Sequence, residues 1–176
     1  MQRMSKKSTK DKNPVVFLES EVLYKVEFER DNTFDDPEYI QEFKAVVERD
    51  GTDLTLIGIG TTVGNCLEAA NTLEKENISS EVINLISIRP IDYKTILKSV
   101  RKTKNVIIVE NSWPCFSTSS EISANLNEKL FGELKRPVQR ITAVDVPTPY
   151  AHNLETMTVP NTDQIVKAAL EMYSKK

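Results

Sequence analysis

Few side chains in this sequence have both the type and the spacing that chemistry needs. Gly58-Ile59-Gly60-Thr61-Thr62-Val63-Gly64 has the outline of a phosphate loop, where glycines bring backbone amides close to an anion at a helix N-terminus. Its spacing, GxGxxxG, is one residue longer than the dinucleotide fingerprint. That fingerprint also wants an acid at the end of the next strand, to hold a ribose hydroxyl. Around Ile83–Ile86 the chain offers only Asn84. A tight strand–helix turn accounts for the glycines more simply, and no GKS or GKT makes the stretch a P-loop.

Nucleophilic chemistry finds little support. No GxSxG elbow is present. Cys115 follows Trp113-Pro114 in an expected loop, but nothing places the single histidine, His152, beside it. Cys66 falls on an apolar helical stripe and reads as a small core residue. Glu110 and Asp145 stand at the C-terminal ends of expected parallel strands, where ligand sites gather. They are candidates for paired-carboxylate acid–base work, and equally for bonding the amides of a neighbouring loop. One histidine and two cysteines without a CxxC spacing exclude a multi-histidine metal site and a cysteine zinc site. The expectation is no catalytic, cofactor-binding or metal residues in this chain.

Composition sets the outer bounds. The 176 residues suffice for one good core, and 39% hydrophobic with 28% charged residues describes a globular protein. A net charge of −3 gives no argument for nucleic acid, and no apolar run approaches the ~18 residues that span a membrane. Charge is uneven, however. Residues 1–12 carry five bases and one acid, reading as a disordered leader or a cloning remnant rather than a signal peptide. Residues 19–53 carry twelve acids and four bases and read as a linker up to about Gln41.

The elements that must position the candidates follow from periodicity. Leu54–Ile59 is a near-continuous apolar run, as in a parallel strand covered on both faces. Val63, Cys66, Leu67, Ala70 and Leu73 then form one helical stripe, with Thr61 or Thr62 as cap. Further strands are expected at Val15–Leu18, Phe43–Arg49, Ser80–Ile88, Val106–Val109 and Val138–Val144. The Asp50-Gly51 turn makes 43–49 antiparallel to 54–60, or sets the two on nearby edges of one sheet. A helix over Tyr93–Thr103 takes Asp92 as N-cap and Ile96, Leu97 and Val100 as its face. Its Lys98, Arg101, Lys102 and Lys104 suit the negative end of a helix dipole. Another helix begins at Ser119 or Ser120, buries Ile122, Leu126, Leu130 and Phe131, and ends at Gly132. The last begins at Asn161 with Gln164 three residues on, and its face is Ile165, Val166, Ala169 and Leu170. Alternating strands and helices give a three-layer α/β/α fold with a five-stranded mostly parallel sheet and one antiparallel edge strand. Val15–Leu18 has no place in it and reads as part of a domain whose remainder is missing.

Five stretches carry a family resemblance: NPVVFLESEVLY at 13–24, GTDLTLIGIGTTVGNCLEAANTL at 51–73, SEVINLISIRPIDYKTILKSVRKT at 80–103, VIIVENSWPCF at 106–116 and DVPTPYAHNLETMTVP at 145–160. In this order the chain resembles the beta subunit of the thiamine-dependent decarboxylating component of pyruvate dehydrogenase, and Arg89-Pro90-Ile91-Asp92 resembles a typical motif of the transketolase C-terminal domain. The resemblance implies a last strand of a missing N-terminal domain plus acidic linker at 13–42 and a transketolase C-terminal-like domain at 43–176. It implies a subunit-assembly and docking role within oxidative decarboxylation of pyruvate to acetyl-CoA, with Trp113, Pro114, Phe116, Pro147, Pro149 and Tyr150 at the interface. The implied partners are the alpha subunit, a second beta subunit and the acyltransferase core component. Thiamine diphosphate and magnesium would belong to the full complex, in the mitochondrial matrix of a eukaryote or the cytoplasm of a bacterium. Alone, the chain is expected to be inactive. A free-standing subunit-interaction or regulatory module, and a small nucleotide-binding α/β protein, are the alternatives. Ser117, Thr118 and Ser119 stand where the family commonly has glycines, which puts a positive φ in that loop in doubt. Basic Lys135-Arg136 and the Lys175-Lys176 end are expected to weaken docking to a basic partner.

Overall fold

A computed structural model describes residues 8–9, 11–25 and 44–174. Ten elements build the domain: β1 (Val46–Arg49), β2 (Leu54–Gly58), α1 (Thr62–Lys75), β3 (Ser80–Asn84), α2 (Tyr93–Thr103), β4 (Val106–Val109), α3 (Thr118–Lys129), β5 (Gln139–Ile141), α4 (His152–Thr158) and α5 (Thr162–Ser174). The strands form one sheet in the order β1-β3-β2-β4-β5. All neighbours are parallel except β1, which runs antiparallel to β3 at the edge. The expected three-layer fold is the observed one.

The period of two along each strand divides the core. Leu54 and Leu56 of β2, Val82 of β3 and Ile107 and Val109 of β4 meet Cys66, Ala69, Ala70 and Leu73 of α1 and Ile165, Ala169 and Met172 of α5. Ile57, Ile83, Val106 and Ile108 face the other way, onto Ile96 and Val100 of α2 and Ile122 and Leu126 of α3. Both faces are covered, which is why β2 and β4 read as unbroken apolar runs rather than alternating ones.

The caps follow the local sequence. Asp92 accepts a hydrogen bond from Thr95 N at 3.1 Å and caps α2 as expected. Asn161 and Gln164 exchange side-chain-to-backbone bonds at 2.9 and 3.1 Å, a complete capping box on α5. The helix over 118–129 takes its cap from Ser117, not Ser119 or Ser120. Ser119 is instead turned into the interior, where its amide meets Glu110.

Val15–Leu18, expected to have no place in this sheet, pairs with no strand among the described residues, and Val16 and Leu18 are 84% and 75% exposed. Several other expectations are corrected. The acidic run Glu27–Glu38 and most of the basic leader lie outside the described residues. The Asp50-Gly51 turn leaves β1 running opposite to β2, as the first reading has it, but the two do not pair: β1 pairs with β3, which stands between them, and β2 is the central strand rather than an edge. Gly51 lies against the start of β3, so close that a Cβ there would meet Ser80 C and Glu81 N at 2.2 Å. The strand expected over Ser80–Ile88 stops at Asn84: Leu85 N makes the last ladder bond, to Gly58 O, and Ile86 N then turns back to Asn84 O. The strand expected over Val138–Val144 keeps only Gln139–Ile141, since Ala143 N and Val144 N bond Ser112 O and Thr158 O in flanking loops. Phe131 is 92% exposed, beyond the end of α3, and Gly132 lies in the turn after it with φ +81°. On α5 Leu170 is 37% exposed and Met172 is buried in its place. The helix α4 was not foreseen at all.

Candidate functional site

The glycine stretch forms a closed turn. Gly58 lets α1 pack on the end of β2, and Gly60 supplies a φ of +64°. Gly64 lies in open space on the helix. Thr62 Oγ1 accepts from Ile59 N at 2.9 Å and donates to Val109 O at 2.7 Å, tying the turn to β4. The Ile59 amide also reaches Val109 O, and the Val63 amide reaches Gly60 O, so amides that would cradle an anion are committed within the fold. Asn84, at the position of the ribose acid, donates to Glu48 Oε1 at 2.9 Å.

The other chemical candidates are not brought together. Glu110 is buried and its Oε1 accepts from Ser119 N at 2.8 Å, so the carboxylate caps the start of α3. Asp145 is exposed. Cys115 is exposed and free, while the His152 ring, also exposed, lies 3.8 Å from Glu155 Oε2; no hydrogen bond joins it to the thiol. Cys66 is buried, and burial pushes its thiol up to about 12, which keeps it an inert core residue. The basic cluster on α2 is partly paired: Lys102 bonds the buried Glu81, and Arg101 lies 3.6 Å from Glu133. Among the described residues no group of three or more His, Cys, Asp and Glu could hold a metal ion, and no helix is long and apolar enough to cross a membrane.

The structure does gather aromatic residues at the C-terminal end of the sheet. The loop from Asn111 to Ser117 carries Trp113, 52% exposed, and Phe116, fully exposed. The loop after β5 carries exposed Pro147 and Tyr150, with Pro149 half-buried, like Pro114. Ala143 N donates to Ser112 O at 3.1 Å, which stitches the two loops side by side. Arg140 Nη1 donates to Pro114 O and to Ser120 Oγ, both at 2.9 Å. Ser120 Oγ also donates to Pro114 O, and Asn111 donates to Thr61. The first loop is therefore held from three sides while its rings face solvent. Phe116 adopts φ +53°, a left-handed conformation uncommon for an aromatic residue. The positive φ expected to be doubtful at Ser117–Ser119 is thus displaced by one residue, and Ser117 keeps an extended φ of −84°.

Sequence reasoning missed two contributors to this end. Arg140 looked like an ordinary strand residue. On α4, Leu154 and Met157 are 48% and 70% exposed, and their i,i+3 spacing was the available signal.

Comparison with known proteins places this architecture. Residues 43–165 match the model of the transketolase C-terminal domain. The chain belongs to that family. It is 47% identical over 165 residues to the mitochondrial pyruvate dehydrogenase E1 component subunit beta of Dictyostelium discoideum, covering 93% of this chain and 46% of that protein. The corresponding Saccharomyces cerevisiae subunit is 46% identical over 171 residues, covering 96% and 47%. The Bos taurus one is 44% identical over 165 residues, covering 93% and 46%. The chain thus spans about half the length of these relatives. Among solved structures, a split-gene transketolase in the form of an inactive beta4 tetramer superimposes with a TM-score of 0.66 at 26% identity, covering 77% of this chain and 43% of that one.

Proposed function

We propose that this chain is the assembly and docking domain of a pyruvate dehydrogenase beta subunit, acting in a mitochondrial complex that converts pyruvate to acetyl-CoA. The observation that carries the reading is the aromatic end of the sheet: Trp113, Phe116 and Tyr150 stand exposed on loops whose backbone is fastened to the domain. Exposed aromatic anchors on a rigid support are what a protein interface needs, and they do nothing for a catalytic pocket. The identity to beta subunits named as mitochondrial supports the complex and its compartment. The match over residues 43–165 supports a transketolase C-terminal-like domain over 43–176.

The described residues do not fit thiamine diphosphate or its magnesium. The glycine turn is closed on β4, and no carboxylate or imidazole cluster is present among them. On this reading the cofactor belongs to other parts of the assembly, and the chain contributes contacts to the alpha subunit, a second beta subunit and the acyltransferase core.

The test is co-expression of the tagged chain with the alpha and full-length beta subunits of a mitochondrial pyruvate dehydrogenase. The chain is expected to co-purify with them. Purified alone with thiamine diphosphate and magnesium, it is expected to release no carbon dioxide from pyruvate. Turnover by the isolated chain, or failure to join either subunit, overturns the proposal.

A further inference from the structure

We propose that the outward face of α2 docks an acidic polypeptide segment of a separate protein, an extended stretch with carboxylates at alternate positions. The face shares no residue with the aromatic loops and does not depend on the pyruvate dehydrogenase reading.

From Tyr93 to Val109 the chain holds five bases and no acid, although its net charge is −3. Lys94, Lys98 and Arg101 recur at spacings of four and three on the exposed side of α2, opposite the buried Ile96 and Val100. Exposed Lys102 and Lys104 extend the row. Lys135 N donates to Lys104 O at 2.9 Å, which sets exposed Lys135 and half-buried Arg136 beside the C-terminal end of the helix. The helix dipole does not account for this face. It favours cations in the last turn, where Arg101 and Lys102 stand, but disfavours Lys94 in a first turn that holds no acid. Like charges four apart, Lys94 with Lys98 and Lys98 with Lys102, also work against the helix. Carboxylates within the fold answer only part of the row. The buried Glu81 takes Lys102. Glu133 lies 3.6 Å from Arg101 with both side chains about half exposed, a pair that water weakens. Among the described residues Lys94, Lys98 and Lys104 form no ion pair. A row of cations held against the dipole and against its own repulsion calls for negative charge from outside.

Spacing and surroundings select the partner. Four-residue steps along a helix place successive cations about 6 Å apart. Alternate residues of an extended chain place carboxylates about 6.6 Å apart. A strand-like acidic segment therefore stays in register over the roughly 16 Å that the 11 residues of α2 span. A bilayer would need apolar side chains free beside the cations, and those of α2 are packed into the core. A single strand of nucleic acid would need rings on which bases stack. The one ring on α2, Tyr93, is half-buried, and its hydroxyl donates to Glu121 of α3 at 3.4 Å. An acidic polypeptide asks only for the row of cations itself, by charge complementarity.

Fluorescence anisotropy of a labelled peptide of alternating Glu and Ser, titrated with the 176-residue chain at low ionic strength, tests the face. Saturable binding that weakens steeply with added salt is expected. Lys94→Glu combined with Lys98→Glu is expected to raise the Kd at least about tenfold without lowering the thermal melt, because both side chains are exposed. Lys75→Glu combined with Lys167→Glu makes the same change in net charge on exposed positions of α1 and α5, and is expected to leave the Kd unchanged. Equal weakening by the two pairs would leave only net charge and overturn the proposal. So would tighter binding to anionic vesicles or to an oligonucleotide of the same charge. The chain's own acids between Glu27 and Glu38 are the competing occupant. With Glu27, Glu29, Asp31 and Asp36 replaced by their neutral amides, the Kd is expected to stay the same. Binding that appears or tightens only then assigns the face to that run and overturns a separate partner, and no binding by either chain overturns it as well. Failure of the chain to co-purify with the alpha and beta subunits leaves this face standing.

Discussion

A methyl group added to Gly58 would lie 2.8 Å from Val63 Cα and 3.0 Å from Val63 Cγ2, while one added to Gly64 would meet nothing within 4 Å. The two glycines look alike in the sequence and do different work. At Gly58 the missing side chain lets α1 start hard against the end of β2. At Gly64 it costs helix entropy without a packing return. Gly58→Ala is therefore expected to lower unfolding free energy by about 1–3 kcal/mol through overpacking. Gly64→Ala is expected to raise it by about 0.5–1 kcal/mol. Urea unfolding of the two variants decides. Equal effects would mean that the turn is not organised around a close approach at Gly58. The same contrast explains why the stretch resembles a phosphate loop. Both kinds of turn need glycine for backbone approach, and only the partner differs: an anion in one, Val63 and Val109 in the other.

Among the elements, α2 shows how one carboxylate can set a helix and a strand together. Asp92 Oδ1 accepts from Thr95 N, and its Oδ2 accepts from Thr95 Oγ1 at 2.6 Å and from Ala45 N at 3.2 Å, just before β1. Burial acts to raise the Asp92 carboxyl. The hydrogen bonds from Thr95 and Ala45, with the charge of Lys44, outweigh it and hold the group below the usual carboxylate range. A folded-state value below the unfolded one means stability that is present above the ordinary carboxylate pKa of ~3.9 and is lost as pH falls through the folded value. Asp92→Ala is expected to cost about 0.5–2 kcal/mol at neutral pH. The gap from the parent chain is expected to close in acid, read by urea unfolding at both pH values; a gap of undiminished size in acid would refute the capping account. Asp92 was legible in the sequence because a cap acts over three residues. The Asn161–Gln164 box and the apolar strands β2 and β4 were legible for similar local reasons. What failed was decided by partners far along the chain. The length of β5 depends on where the next amides find carbonyls, and for Ala143 and Val144 these are Ser112 and Thr158. The aromatic loop after β4 was half legible. Its aromatic residues could be named from the sequence, but the brace from Arg140 spans 26 residues and the strain fell on Phe116 rather than on the serines. The helix α4 has no buried face, so periodicity against a core could not announce it.

At the scale of the whole molecule, one sheet serves two apolar layers, and adjacent residues of β2 belong to different ones. Leu56 packs with α1 and α5, and Ile57 with α2 and α3; both are wholly buried. The layers are joined by more than the sheet. At its N-terminal end Thr55 Oγ1 lies 2.7 Å from both Ser99 and Thr103 of α2, and Tyr173 of α5 donates to Asp53 O at 2.6 Å. Asn105 connects the two sides by donating to Asp53 O and to Tyr173. If the layers were independent, a cavity on one side would loosen that side alone. Because α1, α2, α3 and α5 all lean on the same sheet and this polar seam, a cavity on either side should destabilise the whole. Leu56→Ala and Ile57→Ala are each expected to cost about 2–5 kcal/mol. Each is expected to unfold in a single transition, with near-ultraviolet circular dichroism, which reports the packing of the aromatic side chains, and far-ultraviolet circular dichroism, which reports all helices, giving coincident curves. Separated curves in either variant would show that α1 and α5 can come away while α2 and α3 hold. The single transition is more than a stability statement: the loops after β4 and β5 and the turn after β2 all spring from the shared sheet, so the exposed aromatic end proposed for assembly keeps its shape only as long as both layers do.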